Sequence, residues 1–198
     1  MDMDWNARYS EAGYTYGTLP NKFLESVAGK IPLGRILMLG EGEGRNAAYL
    51  SSLGFDVTAV DSSSTGLEKA EKLCKERGVK ITSITADLAD YKIEPGSWEG
   101  IIACYCHLSS SLRQAVNRSV VSGLKPGGMF VLEAFSKKQL AYDTGGPKSL
   151  DMLISLDELK RELTGLDFIH AKELEREVLE GSGHNGLAAV VQVLGVKP

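Results

Sequence analysis

Residues 37–48 read Leu-Met-Leu-Gly-Glu-Gly-Glu-Gly-Arg-Asn-Ala-Ala, and this stretch decides the fold. Gly40, Gly42 and Gly44 alternate behind an apolar run, Ile36 to Leu39, and helix formers follow from Asn46 to Leu50. The pattern is a strand, a tight glycine turn and a helix N-terminus. Glycines there take φ > 0 and let backbone approach a ligand. The free N–H groups of the helix favour an anionic group. A second apolar run, Phe55 to Val60, ends at Asp61, 17 residues after Gly44. A carboxylate at that strand end is placed to hold ribose hydroxyls. The segment reads as a site for a nucleoside-containing cofactor.

Gly42-x-Gly44-x-x-Ala47 also fits the dinucleotide fingerprint, so the glycines alone do not select the cofactor. The charges narrow it. Glu41 and Glu43 would repel a pyrophosphate but tolerate S-adenosylmethionine, which carries a sulfonium, an ammonium and one carboxylate. The plain alternative is that both glutamates face solvent and suit the helix dipole. Arg45 opposes that dipole and needs compensation, from a ligand anion or from Glu41 and Glu43.

Outward from this centre, strand and helix patterns alternate. A helix is expected over Pro20–Gly29, strands at Arg35–Leu39, Phe55–Val60, Lys80–Thr85, Gly100–Cys104 and Met129–Ala134, and helices near Arg45–Leu53 and Ser110–Ser122. A further helix follows the serines Ser62–Ser64, where Thr65-Gly66-Leu67-Glu68 has capping-box spacing. Ser155-Leu156-Asp157-Glu158 has the same spacing and opens a late helix, which Gly165 ends. Two apolar segments close the chain, from Leu166 toward Glu177 and from Leu187 to Val193. No helix separates them, so they pair antiparallel. The expected fold is α/β: a Rossmann-like, seven-stranded, mostly parallel sheet with helices on both faces and an antiparallel last strand.

Residues 1–198 suit one domain, with residues 1–30 as an N-terminal cap. Lys+Arg 22 against Asp+Glu 26, without a basic run, argues against nucleic acid as a partner. No apolar stretch approaches membrane-spanning length. The N-terminus is acidic and polar, unlike a secretory signal, and Cys74, Cys104 and Cys106 form no disulfide framework. These features imply a cytoplasmic protein. Oligomeric state is not encoded in the pattern.

The motifs together resemble the class I S-adenosylmethionine-dependent methyltransferases. They are Gly40-Glu41-Gly42-Glu43-Gly44, Asp61, Ala86-Asp87-Leu88 and Lys125-Pro126-Gly127-Gly128, in that order. The opening Trp5…Tyr9…Tyr14-Thr15-Tyr16-Gly17-Thr18-Leu19-Pro20-Asn21 and Gly44-Arg45-Asn46-Ala47 resemble the branch around the tellurite-resistance methyltransferases. The resemblance implies methyl transfer to a small-molecule acceptor, a chalcogen oxyanion or a thiol among the candidates. It implies cofactor contacts from Gly40, Glu41, Gly42, Gly44, Arg45, Asp61, Ser62, Asp87, Leu88 and Cys104. Asp61 would take the ribose and Asp87 the adenine amino group, with the Leu88 N–H on a ring nitrogen. The family's acidic residue in strand one is Met38 here.

Topology relates the remaining candidates. His107 follows the fourth strand, and His184 lies in Glu180-Gly181-Ser182-Gly183-His184-Asn185-Gly186, on the same sheet edge. Both are expected as catalytic residues beside the acceptor. Tyr14, Tyr16 and Tyr142 are expected around the substrate, with Trp5–Pro20 as a lid. Cys104-Tyr105-Cys106-His107 has metal-ligand types, but one strand points them to opposite faces, so no metal is expected. His170 lies in an apolar segment and reads as structural. The rival functions are a non-catalytic regulator that binds the same cofactor and a nicotinamide-dependent oxidoreductase.

Overall fold

The computed structural model describes residues 4–198. Seven strands form one sheet: β1 Arg35–Leu39, β2 Asp56–Asp61, β3 Thr82–Thr85, β4 Trp98–Cys104, β5 Leu124–Phe135, β6 Asp167–Glu180 and β7 His184–Val196. Their order is β3-β2-β1-β4-β5-β7-β6. The first five run parallel, and β7 pairs antiparallel with both β5 and β6. The helices are α1 Trp5–Tyr9, α2 Lys22–Val27, α3 Arg45–Ser52, α4 Ser64–Glu76, α5 Ser110–Gly123 and α6 Leu156–Glu162.

Two apolar layers hold the sheet. Ile36, Met38, Val57 and Ile102 pack under α2, α3 and α4, through Phe23, Leu24, Leu50 and Leu67. Leu37, Ile101, Phe130 and Val191 pack under α5 and α6, through Val120, Leu159 and Leu163. Alternate strand residues feed opposite layers, as burial of both sheet faces requires.

Boundaries shift where a local signal meets a competing partner. The capping box at Ser155–Glu158 forms. The one expected at Thr65–Glu68 does not. Ser63 takes the cap instead, its hydroxyl accepting from Gly66 N–H at 3.0 Å. β5 starts at Leu124 because Lys125–Gly128 is absorbed as an irregularity opposite Trp98–Gly100. β6 and β7 run nearly to one another, leaving Gly181-Ser182-Gly183 as the turn, and His184 opens β7. Helix α1 had no helical pattern in the sequence; Asp4 caps it by accepting from Ala7 N–H. No helix among the described residues is long and apolar enough to cross a membrane.

Candidate functional site

The site gathers at the carboxyl ends of β1, β2 and β4, where open α/β sheets bind ligands. Gly40, Gly42 and Gly44 have φ of +62°, +61° and +85°. A Cβ on Gly40 would stand 2.8 Å from Cys106 Sγ, and one on Gly42 would stand 2.5 Å from the Tyr9 hydroxyl. Only glycine therefore fits this turn, by conformation and by space. Asp61 braces it: Oδ2 accepts from Gly42 N–H and Oδ1 from Ser63 N–H, each at 2.8 Å. Burial raises the Asp61 pKa, and those backbone donors oppose the rise.

The two loop glutamates are buried, not turned to solvent. Glu41 Oε1 accepts from Asn46 and Ala47 N–H at 3.1 and 2.8 Å, so it caps α3. Burial lifts its pKa to about 7 against those same donors. Glu43 accepts from Thr15 N–H at 2.7 Å and pairs with Lys69 at 2.9 Å. Arg45 pairs directly with neither, although Glu41 attracts it from a distance. Its partner is Glu180, at 2.5 Å, from the end of β6. Met38 is buried in the core, and neither Glu41 nor Arg45 stands free to replace an acid there. Asp87 is exposed, accepts from Ala89 N–H at 2.8 Å and forms a turn beside Leu88; Ser62 is exposed.

Around the β4 end, five rings meet. Tyr105 has φ +54°, and it alone among the described non-glycine residues has positive φ. Its ring lies 4.4 Å from His184 and 4.7 Å from Phe135. His184 also packs on Tyr16 at 4.5 Å and on Phe135 at 5.0 Å. His107 stacks on Phe135 at 5.4 Å. Cys104 is half-buried at the strand end, and burial raises its thiol pKa well above the ordinary range.

The structure places three of the expected site residues as follows. His107 is spent on backbone: Nε2 accepts from Phe135 N–H at 3.2 Å, and the ring also bonds the Tyr105 backbone. Burial and the neighbouring His184 depress its pKa to about 3, which favours the neutral imidazole. Tyr14 packs on α4, donating to the Lys69 carbonyl at 3.4 Å, away from the five rings. Tyr142 lies beside Glu175 on β6, at the outer flank. Tyr16 alone of the three tyrosines joins the ring cluster.

A buried ionic network missing from the sequence reading underlies the rings. Glu133 on β5 accepts from Asn21 Nδ2 and the Tyr105 hydroxyl, each at 2.8 Å, from Gln192 at 2.5 Å, and from Arg176. Arg176 also meets Glu180 at 3.1 Å. Arg8 on α1 differs: it lies beside the Tyr16 hydroxyl, and its buried Nε has no partner among the described residues. A cavity of about 20 Å³, room for one water, adjoins Cys106 and His107. Among the described residues no cluster of three or more His, Cys, Asp or Glu is placed to hold a metal ion.

Residues 36–128 match a family model described as a methyltransferase domain. The 2-heptyl-1-hydroxyquinolin-4(1H)-one methyltransferase of Mycobacteroides abscessus is 27% identical over 117 residues, 58% of this chain and 52% of that protein. The chain spans about half the length of the curated relatives it matches. TehB from Haemophilus influenzae superposes with a TM-score of 0.75 at 20% identity, covering 98% of this chain and 66% of that one. A SAM-dependent methyltransferase from Aquifex aeolicus superposes over 100% of both chains, with a TM-score of 0.69 at 16% identity.

Proposed function

We infer, from the methyltransferase-domain match over residues 36–128 and a fold shared with S-adenosylmethionine-dependent methyltransferases, that this chain is a class I enzyme of that kind and methylates a small-molecule acceptor. The observation that carries this reading is the join of Asp61 to the glycine turn. The residues fit the cofactor. The three glycines make a cradle that a Cβ would fill, and Asp61 keeps lone pairs beyond its two backbone donors. The cofactor supplies an electrophilic methyl on a sulfonium.

The chain's own residues do the rest. The backbone of Gly40–Gly44 cradles the methionine end. Asp61 holds the ribose hydroxyls, with Ser62 alongside, and Asp87 and the Leu88 N–H take the adenine edge. Cys104 closes the floor. Arg8 meets the cofactor carboxylate: a cation with an unpartnered buried Nε favours an anion. Residues 5–20, with residues 1–30 as the wider cap, act as a lid over this edge; residues 1–3 lie outside the described residues. His184 and Phe135 are buried, so the acceptor is admitted to the rings by movement of the lid or of the Tyr142–Pro147 loop. Alignment and exclusion of water are the main contributions to rate.

The acceptor is a thiol or a hydroxyl compound. Arg45 and Arg176 are both paired, and burial keeps His107 and His184 neutral, which leaves little to hold a second anion. A chalcogen oxyanion, the other acceptor that the opening motif suggests, is the competing outcome. The test is calorimetry with S-adenosylhomocysteine and NAD, followed by product analysis with thiols, phenols, tellurite and selenite. Binding of S-adenosylhomocysteine with methylated thiol or phenol is expected. Tighter NAD binding, or binding without any methylated product, would replace the reading with an oxidoreductase or a regulator.

A further inference from the structure

One buried carboxylate beside the rings has no part in the reading above. Glu180 closes β6 and His184 opens β7, and the register of the two strands pairs them directly. The three-residue turn Gly181-Ser182-Gly183 fixes that register. Glu180 Oε2 lies 4.0 Å from His184 Nδ1, which is buried and has no hydrogen-bond partner among the described residues. The other near neighbours of the ring are the aromatic faces of Tyr16, Tyr105 and Phe135. The opposite edge of the imidazole packs against Gly145, where a Cβ would stand 2.8 Å from Cδ2 and 3.6 Å from Nε2, so movement of the Tyr142–Pro147 loop is what opens Nε2 to the acceptor.

The charges facing this ring come from four places: Glu180 and Arg176 on β6, Arg45 on α3, Glu133 on β5, and His107 after β4. Two carboxylates balance two guanidiniums, and both imidazoles are neutral. A proton added to His184 therefore needs the nearest carboxylate to stabilise it, and that is Glu180.

We propose that Glu180 is a positioning residue: it holds His184 as the Nδ1–H tautomer and stabilises the imidazolium formed when Nε2 takes the acceptor's proton. This rests on methyl transfer to a protic acceptor. In that step the acceptor's O–H or S–H bond breaks and its proton becomes the Nε2–H of His184. The freed electron pair forms the bond to the methyl carbon. The carbon–sulfur bond of the sulfonium breaks, and its pair stays on sulfur as neutral S-adenosylhomocysteine. The positive charge passes from sulfonium to imidazolium, and Glu180 remains a carboxylate. A separation of 4.0 Å is longer than a hydrogen bond, and contacts of this kind shorten when the reacting groups are in place.

The test is nitrogen-15 NMR of the ring nitrogens in the full chain, with His184 identified among three histidines by its loss in His184→Gln. The wild type is expected to show the Nδ1–H tautomer. Glu180→Gln is expected to lower the proton affinity of His184 about tenfold, a drop of about one pH unit in its midpoint. An Nε2–H tautomer in the wild type, or an unmoved midpoint in folded Glu180→Gln, overturns the proposal. The tautomer is read on unaltered protein, so it decides even where the variant does not fold. S-adenosylhomocysteine calorimetry on the same sample separates the two levels. No binding overturns methyl transfer and this role with it. Binding together with an Nε2–H tautomer overturns the role of Glu180 alone.

Discussion

Asp61 and Arg8 show how much a single side chain decides here. Asp61 is 7% exposed and already serves the glycine turn, so Asp61→Asn keeps the shape while removing the charge and one acceptor oxygen. S-adenosylhomocysteine affinity is expected to fall by about 1.5–3 kcal/mol, roughly 10- to 150-fold, with the melting transition retained. Unchanged affinity by calorimetry would make Asp61 a brace of the turn only. Arg8 admits a more selective test. Arg8→Met should weaken S-adenosylhomocysteine at least about tenfold, the effect of losing one charged hydrogen bond. It should leave 5′-methylthioadenosine, which lacks the carboxylate, unaffected. Equal losses for both ligands would mean that Arg8 only packs the lid. Nothing in the spacing of the sequence marks Arg8; it is visible because its buried nitrogen has no partner.

At the scale of elements, the N-terminal strap and the β6–β7 turn form one assembly. Thr15 is held from both sides: its N–H donates to Glu43 of the glycine loop, and its carbonyl accepts from Gly183 N–H at 3.0 Å. Tyr9, 5% exposed, lies against Gly42 and Gly66. Glu43→Ala leaves the Thr15 N–H without its acceptor and Lys69 with only the Glu11 and Gly13 carbonyls, a cost of about 1–3 kcal/mol. The strap should then open before the core, with faster protease cleavage inside residues 5–20 and slower cleavage when S-adenosylhomocysteine is added to the wild type. Cleavage equally fast in both proteins would count against the strap as a unit. Most elements were legible in the sequence because their signals are local. β1 follows its apolar run without a shift, and the Ser155 capping box forms as its spacing requires. Helix α1 was not legible, since its five residues show no apolar stripe and are held by contacts with α4 and the glycine loop.

For the molecule as a whole, burying charge at the site has a cost that pH reveals. Glu41 has its pKa raised to about 7 from an ordinary 4.5, so the folded state favours its protonated form. Its contribution is best below pH 4.5 and is lost as pH rises to 7, at about 1.4 kcal/mol per unit. Glu41→Gln keeps an oxygen for Asn46 and Ala47 N–H but has no proton to lose. Its stability relative to wild type should rise across that window, reaching about 3 kcal/mol at pH 7 by denaturant unfolding. A constant difference between pH 4.5 and 7 would show that Glu41 ionises freely in the fold. Apolar periodicity, glycine spacing and cap residues by themselves determined the doubly wound sheet, the glycine turn and the carboxylate at the end of β2. Each acts between residues close in the chain, where geometry follows from the backbone. Tertiary structure alone decided the rest of the site. Asn21 meets Glu180 across 159 residues, and Arg45 meets it across 135. Glu180 ends a strand in which Glu173, Glu175 and Glu177 alternate with Leu174, Arg176 and Val178, and nothing near it in the chain marks it as buried. It is buried because Asn21 and Arg45, from distant segments, converge on it beside Arg176 of its own strand, and that convergence exists only once the sheet has brought β6 to the mouth of the glycine turn.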